Sequence, residues 1–262
     1  MFGNRMITTA IPERVYALCR EVSSKAADEI VLRGRLEPPQ LGGKTQYFGA
    51  VKTAAEQLKL INIKENTISL AVDKSVIKSM DNMRAYINMN LESVSESLFY
   101  RVTQIYFQMG DAVLGHSSVS KMCDLVGEKA ESKVVEDDMR AWRFWIPFLG
   151  MGYLHEPQRN VAGIILPNTA IFLKDIIEGL KIKKNTEFTV DEFISTIKPY
   201  ANIVLQSADD TLNYGVSCGL RALNDLGYIK MEHRSDAQVM KSLYRFDESG
   251  EDVVVTHITI RG

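Results

Sequence analysis

The sequence predicts a mostly α protein with small β-hairpins, an α+β fold, on three observations. A short phrase recurs: EQLKLI at 56–61, PFLGMGYL at 147–154 and LNDLGYI at 223–229. Each copy closes a run of apolar residues at three- and four-residue steps, and strand-like residues follow, so the order is helices first, then a hairpin. Between the first two copies lies a Met-, Tyr- and Phe-rich segment. There Met80, Met83, Ile87, Leu91, Val94, Leu98, Val102, Ile105 and Met109 keep helical spacing. A parallel α/β fold would instead put strands ahead of helices in longer units.

In the first copy, residues 12–31 read as a helix with Pro12 at an early position, where the missing N–H costs nothing. Phe48, Val51, Ala54, Ala55 and Leu58 mark a second helix, with Thr45 as its N-cap. NIKENTISLAV then gives two strands around a polar turn at Lys64-Glu65-Asn66. Helix, turn, helix, hairpin is the order of a winged helix-turn-helix. The second copy has a helix over 135–149 and the turn and strand of HEPQRNVAGIILP. The third has FTVDEFISTIKPYA at 188–201, with Thr189 and Glu192 three apart as a capping box. A helix over 211–226 follows, then KMEHRSDAQVMKSLYRFD, two strands around Arg234-Ser235-Asp236. Gly152 and Gly227 suit the left-handed position that ends a helix, with Lys59 in that place in the first copy.

Unequal steps between copies argue against a solenoid and for separate units. The expected organisation is tandem winged helix-turn-helix domains joined by a helical linker. An N-terminal winged helix takes 1–75, the linker 76–112, a middle winged-helix-like domain 113–180 and a C-terminal winged helix 181–262. The Met-rich stripe of the linker reads as core or interface packing. Trp142 and Trp145, three residues apart, read as the buried side of their helix.

Catalytic signatures are sparse. Gly43-Lys44-Thr45 resembles the end of a phosphate-binding loop, but Pro38 stands where its first Gly belongs and VLRGRLEPPQ is no buried strand. His155-Glu156 begins a zinc-protease motif, yet Arg159 stands where the second His is needed. Asp137-Asp138 and Asp209-Asp210 read as solvated helix caps. The three cysteines lie far apart, as reduced thiols of a cytoplasmic protein would. No secretory signal or membrane span is evident. The expectation is a non-enzyme with no cofactor and no metal.

The chain carries a formal net charge of −2. Residues 1–75 hold a slight cationic excess and the remainder is slightly acidic, which speaks against strong non-specific nucleic-acid binding. The winged-helix frame still nominates a DNA-binding surface. In the first copy it is Lys44, Thr45, Gln46, Tyr47 and Lys52. In the third it is Asn213, Tyr214, Ser217 and Arg221 on the helix, with His233, Arg234 and Lys241 in the wing. In the second, Arg140 and Arg143 flank Trp142.

IPERVYALCREV, EPPQLGGKTQYFGAVKTAAEQLKLI and MRAWRFWIPFLGMGYL followed by ILPNTAIFLKDII together resemble DpdG-type proteins of bacterial clusters for 7-deazapurine modification of DNA and related phage-defence islands. The resemblance covers about residues 8–180 and rests on hydrophobic patterns. It implies an accessory protein working beside nucleases, helicases or modification enzymes on DNA, and the winged-helix frame makes double-stranded DNA the expected form. Other subunits of a defence or DNA-processing complex are the expected partners, and self-association is a further expectation. Two other readings stay open: an adaptor that docks subunits through its winged helices, and a winged-helix transcription regulator.

Overall fold

The computed structural model describes residues 1–38, 40, 46–115, 118–155, 164–206, 211–246 and 253–262. It is an α+β fold in which helices dominate and the sheets are small.

The chain opens with α1 (Pro12–Glu21), β1 (Ala27–Asp28), α2 (Glu29–Leu36), α3 (Phe48–Gln57), β2 (Ile61–Lys64) and β3 (Thr67–Leu70). The single helix expected over 12–31 is therefore two. Ser23 Oγ donates to the Arg20 carbonyl at 2.7 Å and closes α1. The Asp28 carboxylate accepts from the N–H groups of Ile30 and Val31 and starts α2. β3 lies between β1 and β2, with Ala27 opposite Ile68 and Ile61 opposite Leu70.

A 3-10 turn at Lys74–Ile77 leads to α4 (Met80–Asn90) and α5 (Leu98–Gln108). Then come α6 (Val119–Lys129), α7 (Glu136–Phe148), β4 (Gly152–His155) and β5 (Ile164–Pro167), the last two an antiparallel pair. The final stretch holds α8 (Ala170–Gly179), β6 (Glu187–Thr189), α9 (Val190–Ala201), β7 (Thr211–Leu212) and α10 (Tyr214–Asp225). β8 (Ile229–Glu232), β9 (Lys241–Leu243), β10 (Val254–Val255) and β11 (His257–Ile260) complete it.

With β7, β9 and β10, which form a sheet of their own, set aside, the order α1-β1-α2-α3-β2-β3 is matched by α8-β6-α9-α10-β8-β11, and the strand order β1-β3-β2 by β6-β11-β8. Helix α8, which the sequence grouped with the middle segment, stands first in the second of these runs. Among the described residues, three helices also pass through one left-handed residue directly into a strand. Lys59, Gly150 and Gly227 have φ of 57°, 71° and 69°. The next N–H in each case reaches back into the helix: Leu60 to Ala55 at 2.9 Å, Met151 to Ile146 at 3.1 Å and Tyr228 to Leu223 at 2.9 Å. This is a Schellman ending followed directly by a strand. Gly150, not Gly152, holds the left-handed position. Gly152 is needed for room, since a Cβ there would lie 2.7 Å from Ile165 Cγ2.

The apolar side chains form one connected core. The linker stripe enters it as its spacing predicts, with Met83, Ile87, Leu91, Val94, Leu98, Val102 and Ile105 buried. Both tryptophans are buried and satisfied: Trp142 Nε1 donates to Thr103 Oγ1 at 2.9 Å, and Trp145 Nε1 to the Ala10 carbonyl at 2.7 Å. Phe2 packs edge-on against Phe99 and Trp145, with centroids 5.0 and 4.8 Å away. Asp138 departs from its expected role as a solvated cap. It is fully buried, and its carboxylate accepts from Met6 N at 2.9 Å, Arg5 Nε at 3.0 Å and Val135 N at 3.1 Å. It ties the start of the chain to α7, and this tertiary tie is why it is not left in water.

Candidate nucleic-acid interface

Helix α3 follows from its sequence in a simple way. Phe48, Val51, Ala54 and Ala55 are buried, which turns Gly49, Thr53 and Glu56 outward on one stripe at helical spacing. Gln46 is exposed just ahead of the helix, as its expected role requires. Lys44 and Thr45 lie outside the described residues, and with them the proposed Thr45 cap. The segment before them is α2 rather than the strand a phosphate loop needs. Tyr47 does not face outward. Its hydroxyl donates to the Leu36 carbonyl, and its ring lies 4.1 Å beneath the Arg14 guanidinium. The Glu37 carboxylate accepts the N–H groups of Tyr47 and Phe48 and so caps α3 from the end of α2. Lys52 reaches across to α2, where its Nζ lies 2.7 Å from both carboxylate oxygens of Glu29. The turn Lys64-Glu65-Asn66 at the end of the β2–β3 pair is exposed, and its Asn66 carbonyl accepts from Glu29 N at 2.8 Å at the start of α2.

The third group is arranged differently. Asn213 caps α10, accepting from Val216 N at 3.0 Å and donating to the carbonyls of Val204 and Gln206. Ser217 is fully buried; its hydroxyl donates to the Leu212 carbonyl at 3.0 Å and accepts from Tyr244 N at 2.7 Å. Arg221 donates through Nη2 to the Tyr244 carbonyl at 2.8 Å and lies 4.6 Å over the Phe246 ring. Tyr214 packs edge-on against Tyr244 and Phe246. The outward presentation expected for this helix is therefore corrected, because α10 is enclosed on two sides. On one side Gly215 and Gly219 allow contact so close that a Cβ would sit 2.4 Å from the Phe107 ring and 2.3 Å from Thr169 Oγ1. On the other side β9 and the residues after it lie across the helix.

In the intended wing, His233 is exposed and Lys241 is half-buried within β9. Arg234 is clamped to Glu187 at 2.6 and 3.1 Å and approaches Glu232 at 3.4 Å. That hydrogen bond holds the Glu187 carboxyl below its usual range. Glu232 is lowered first by its bond from Lys230 and then by Arg234.

On α7, Arg140 is exposed but paired with Glu136 at 2.5 Å and Asp137 at 3.1 Å. Arg143 is half-buried, with Nε and Nη1 enclosed and without a hydrogen-bond partner. Burial, and secondarily the charge of Arg140, lowers its pKa. Phe144, next to it, is 52 % exposed, and Tyr153 on β4 is 51 % exposed.

Lys52, Arg140 and Arg234 thus have their charges answered by neighbouring carboxylates, and a phosphate must compete with those partners. The fold brings Gln46, Thr53 and the Lys64 turn to one unit. It does not bring the first and third groups of candidates into one described contact. Gly49 and Thr53 are not among the sequence-nominated residues, although the apolar spacing of α3 turns them outward.

Other features carry less chemistry. A groove of about 1020 Å³ between α4 and α8 is lined by Asp81, Arg84, Lys174, Asp175 and Glu178, all engaged in ion pairs with one another. Among the described residues no group of His, Cys, Asp and Glu is arranged to hold a metal ion. Burial pushes the thiol of Cys19 up to about 12 and, together with nearby carboxylates, that of Cys123 to about 11. No described helix is long and apolar enough to cross a membrane.

Comparison with protein-family models, with curated proteins and with solved structures finds no match.

Proposed function

We propose that the chain is a tandem winged-helix protein that contacts double-stranded DNA through its first unit and serves, without catalysis, as an accessory subunit of a DNA-processing or defence assembly. The observation that carries this reading is the outward stripe of α3. At its N-terminal end Gln46, Gly49 and Thr53 are small or carry uncharged donors and acceptors, so a groove can approach there closely and base edges can be hydrogen-bonded, while the Glu56 carboxylate one turn further on limits the contact to that end. The exposed Lys64 turn lies where a wing would meet the backbone. The repeated helix-strand-helix-helix-strand-strand order supports the tandem winged-helix assignment, and the resemblance to DpdG-type proteins supports the assembly. Because several candidate cations are paired within the chain, direct affinity is modest and partners supply the rest. Titrating a fluorescent duplex with the purified protein tests this: binding that weakens as salt rises supports it, and no binding at low salt removes it.

A second reading, an adaptor that docks other subunits, is favoured by the exposed rings of Phe144 and Tyr153 on α7 and β4. Aromatic side chains are enriched in protein interfaces. Phe144→Asp and Tyr153→Asp, scored by the mass of the complexes the protein forms, test that role.

A further inference from the structure

In the first unit the strands after α3 are joined by a short turn. The corresponding strands after α10, β8 and β11, are joined by 233–256, and the described part of this connection does not project as a wing. It turns back through β9, which runs parallel to β7 just ahead of α10, with Thr211 opposite Ser242 and Leu212 opposite Leu243. β10 pairs with its other edge, Val254 opposite Ser242. Beyond β9 the chain crosses α10 itself. Tyr244 N–H donates to Ser217 Oγ, the Tyr244 carbonyl accepts from Arg221, and the rings of Tyr244 and Phe246 meet Tyr214 at 5.3 and 5.4 Å. The side of α10 that would face a nucleic acid is filled by the chain's own backbone and rings.

The cover is unevenly held: Leu243 and Val255 are buried, whereas its outer edge is open to water. Its strand pairing with β7 spans two residues, and Phe246 remains 55 % exposed. Beneath it, Arg221 Nη1 is enclosed without a hydrogen-bond partner, a cost that release into water or onto an anion removes.

We propose that the run Lys241–Phe246 is an autoinhibitory strap: closed, it keeps α10 from DNA, and released, it gives a second phosphate-contacting face centred on Arg221. The inference rests on the DNA-binding reading above. Cys218, half-buried on α10 and bonded to Tyr214, is a native reporter of opening. The buried thiols Cys19 and Cys123 supply only a slow background.

The test compares the full-length protein with Tyr244→Ala and with Phe246→Ala. The second removes only a half-exposed ring and so guards against misfolding. Thiol labelling of Cys218 and affinity for a fluorescent duplex at low salt are measured on each. The strap predicts several-fold faster labelling and several-fold tighter DNA binding, with the binding gain abolished by adding Arg221→Glu. Faster labelling without a gain in DNA binding, unchanged labelling in both variants, or a gain that survives Arg221→Glu overturns it. Duplex binding by a released variant but not by the wild type would keep the strap and discard the first-unit interface. Wild-type binding with no gain on release would do the reverse.

Discussion

Gly150 and Gly227 occupy the same backbone position at the ends of α7 and α10, with φ of 71° and 69° and the same backward hydrogen bond from the following residue. Lys59 holds that position after α3 at φ 57°. The left-handed conformation costs a side-chain-bearing residue about 1 kcal/mol and costs glycine little. Lys59→Gly is therefore expected to stabilise the protein by up to about 1 kcal/mol. Gly227→Ala, with nothing within 4 Å of the added Cβ, loses about that much. Gly150→Ala loses distinctly more, because its Cβ would lie 2.6 Å from Ile171. Urea unfolding of the three variants checks the order.

Asp175 joins three parts of the fold. Its carboxylate accepts from Arg84 Nε at 2.8 Å and from Asn88 Nδ2 at 2.8 Å, and Asn88 also donates to the Leu149 carbonyl at 3.1 Å. Side-chain exposure is 19 % for Arg84 and 5 % for Asp175. Asp175→Ala leaves Arg84 with Asp81 alone and Asn88 with only the Leu149 carbonyl, and is expected to cost about 2 kcal/mol. Arg84→Met, which removes the charge but keeps the packing, still strands the Asp175 carboxylate in its buried setting. Asp175→Asn/Arg84→Met is therefore expected to recover part of the loss. Thermal unfolding of single and double variants measures the coupling.

The carboxyls around Arg234 make part of the stability acid-sensitive. Glu187 and Glu232 are held below their usual value of 4.5 in the folded state. A lowered folded pKa means that their contribution is complete above the unfolded value and is lost as pH falls through the folded one. Arg234→Met is thus expected to flatten the stability profile between about pH 5 and pH 3 while changing it little at neutral pH. Chemical denaturation across that range reads the effect directly.

Much of this fold can be read from apolar spacing. The buried stripe of α4 and α5, the inward tryptophans of α7 and the three helix-to-strand endings all follow from side-chain periodicity and one left-handed residue. Non-local packing is not written in that way. Nothing near Asp138 announces that Met6 and Arg5 will close on it. Ser217 looks like an outward polar residue until β9 is laid over it. Its neighbours Gly215 and Gly219, four residues apart, did carry a signal of close approach, since glycines on one helix face let another backbone come near. The exposure of a candidate residue can be read where it depends on one helix, as for Gln46. It cannot where a partner carboxylate decides the matter, as Glu29 does for Lys52.

The most direct measurement is duplex DNA binding at about 50 and 200 mM salt, a range over which phosphate contacts weaken strongly, for the wild type, Thr53→Glu and Lys64→Glu. Both positions are exposed and make no core contact that folding needs. The account predicts salt-sensitive binding by the wild type, clear weakening by each substitution and unchanged unfolding curves. Absence of binding at the lower salt, or binding indifferent to both substitutions, would contradict it.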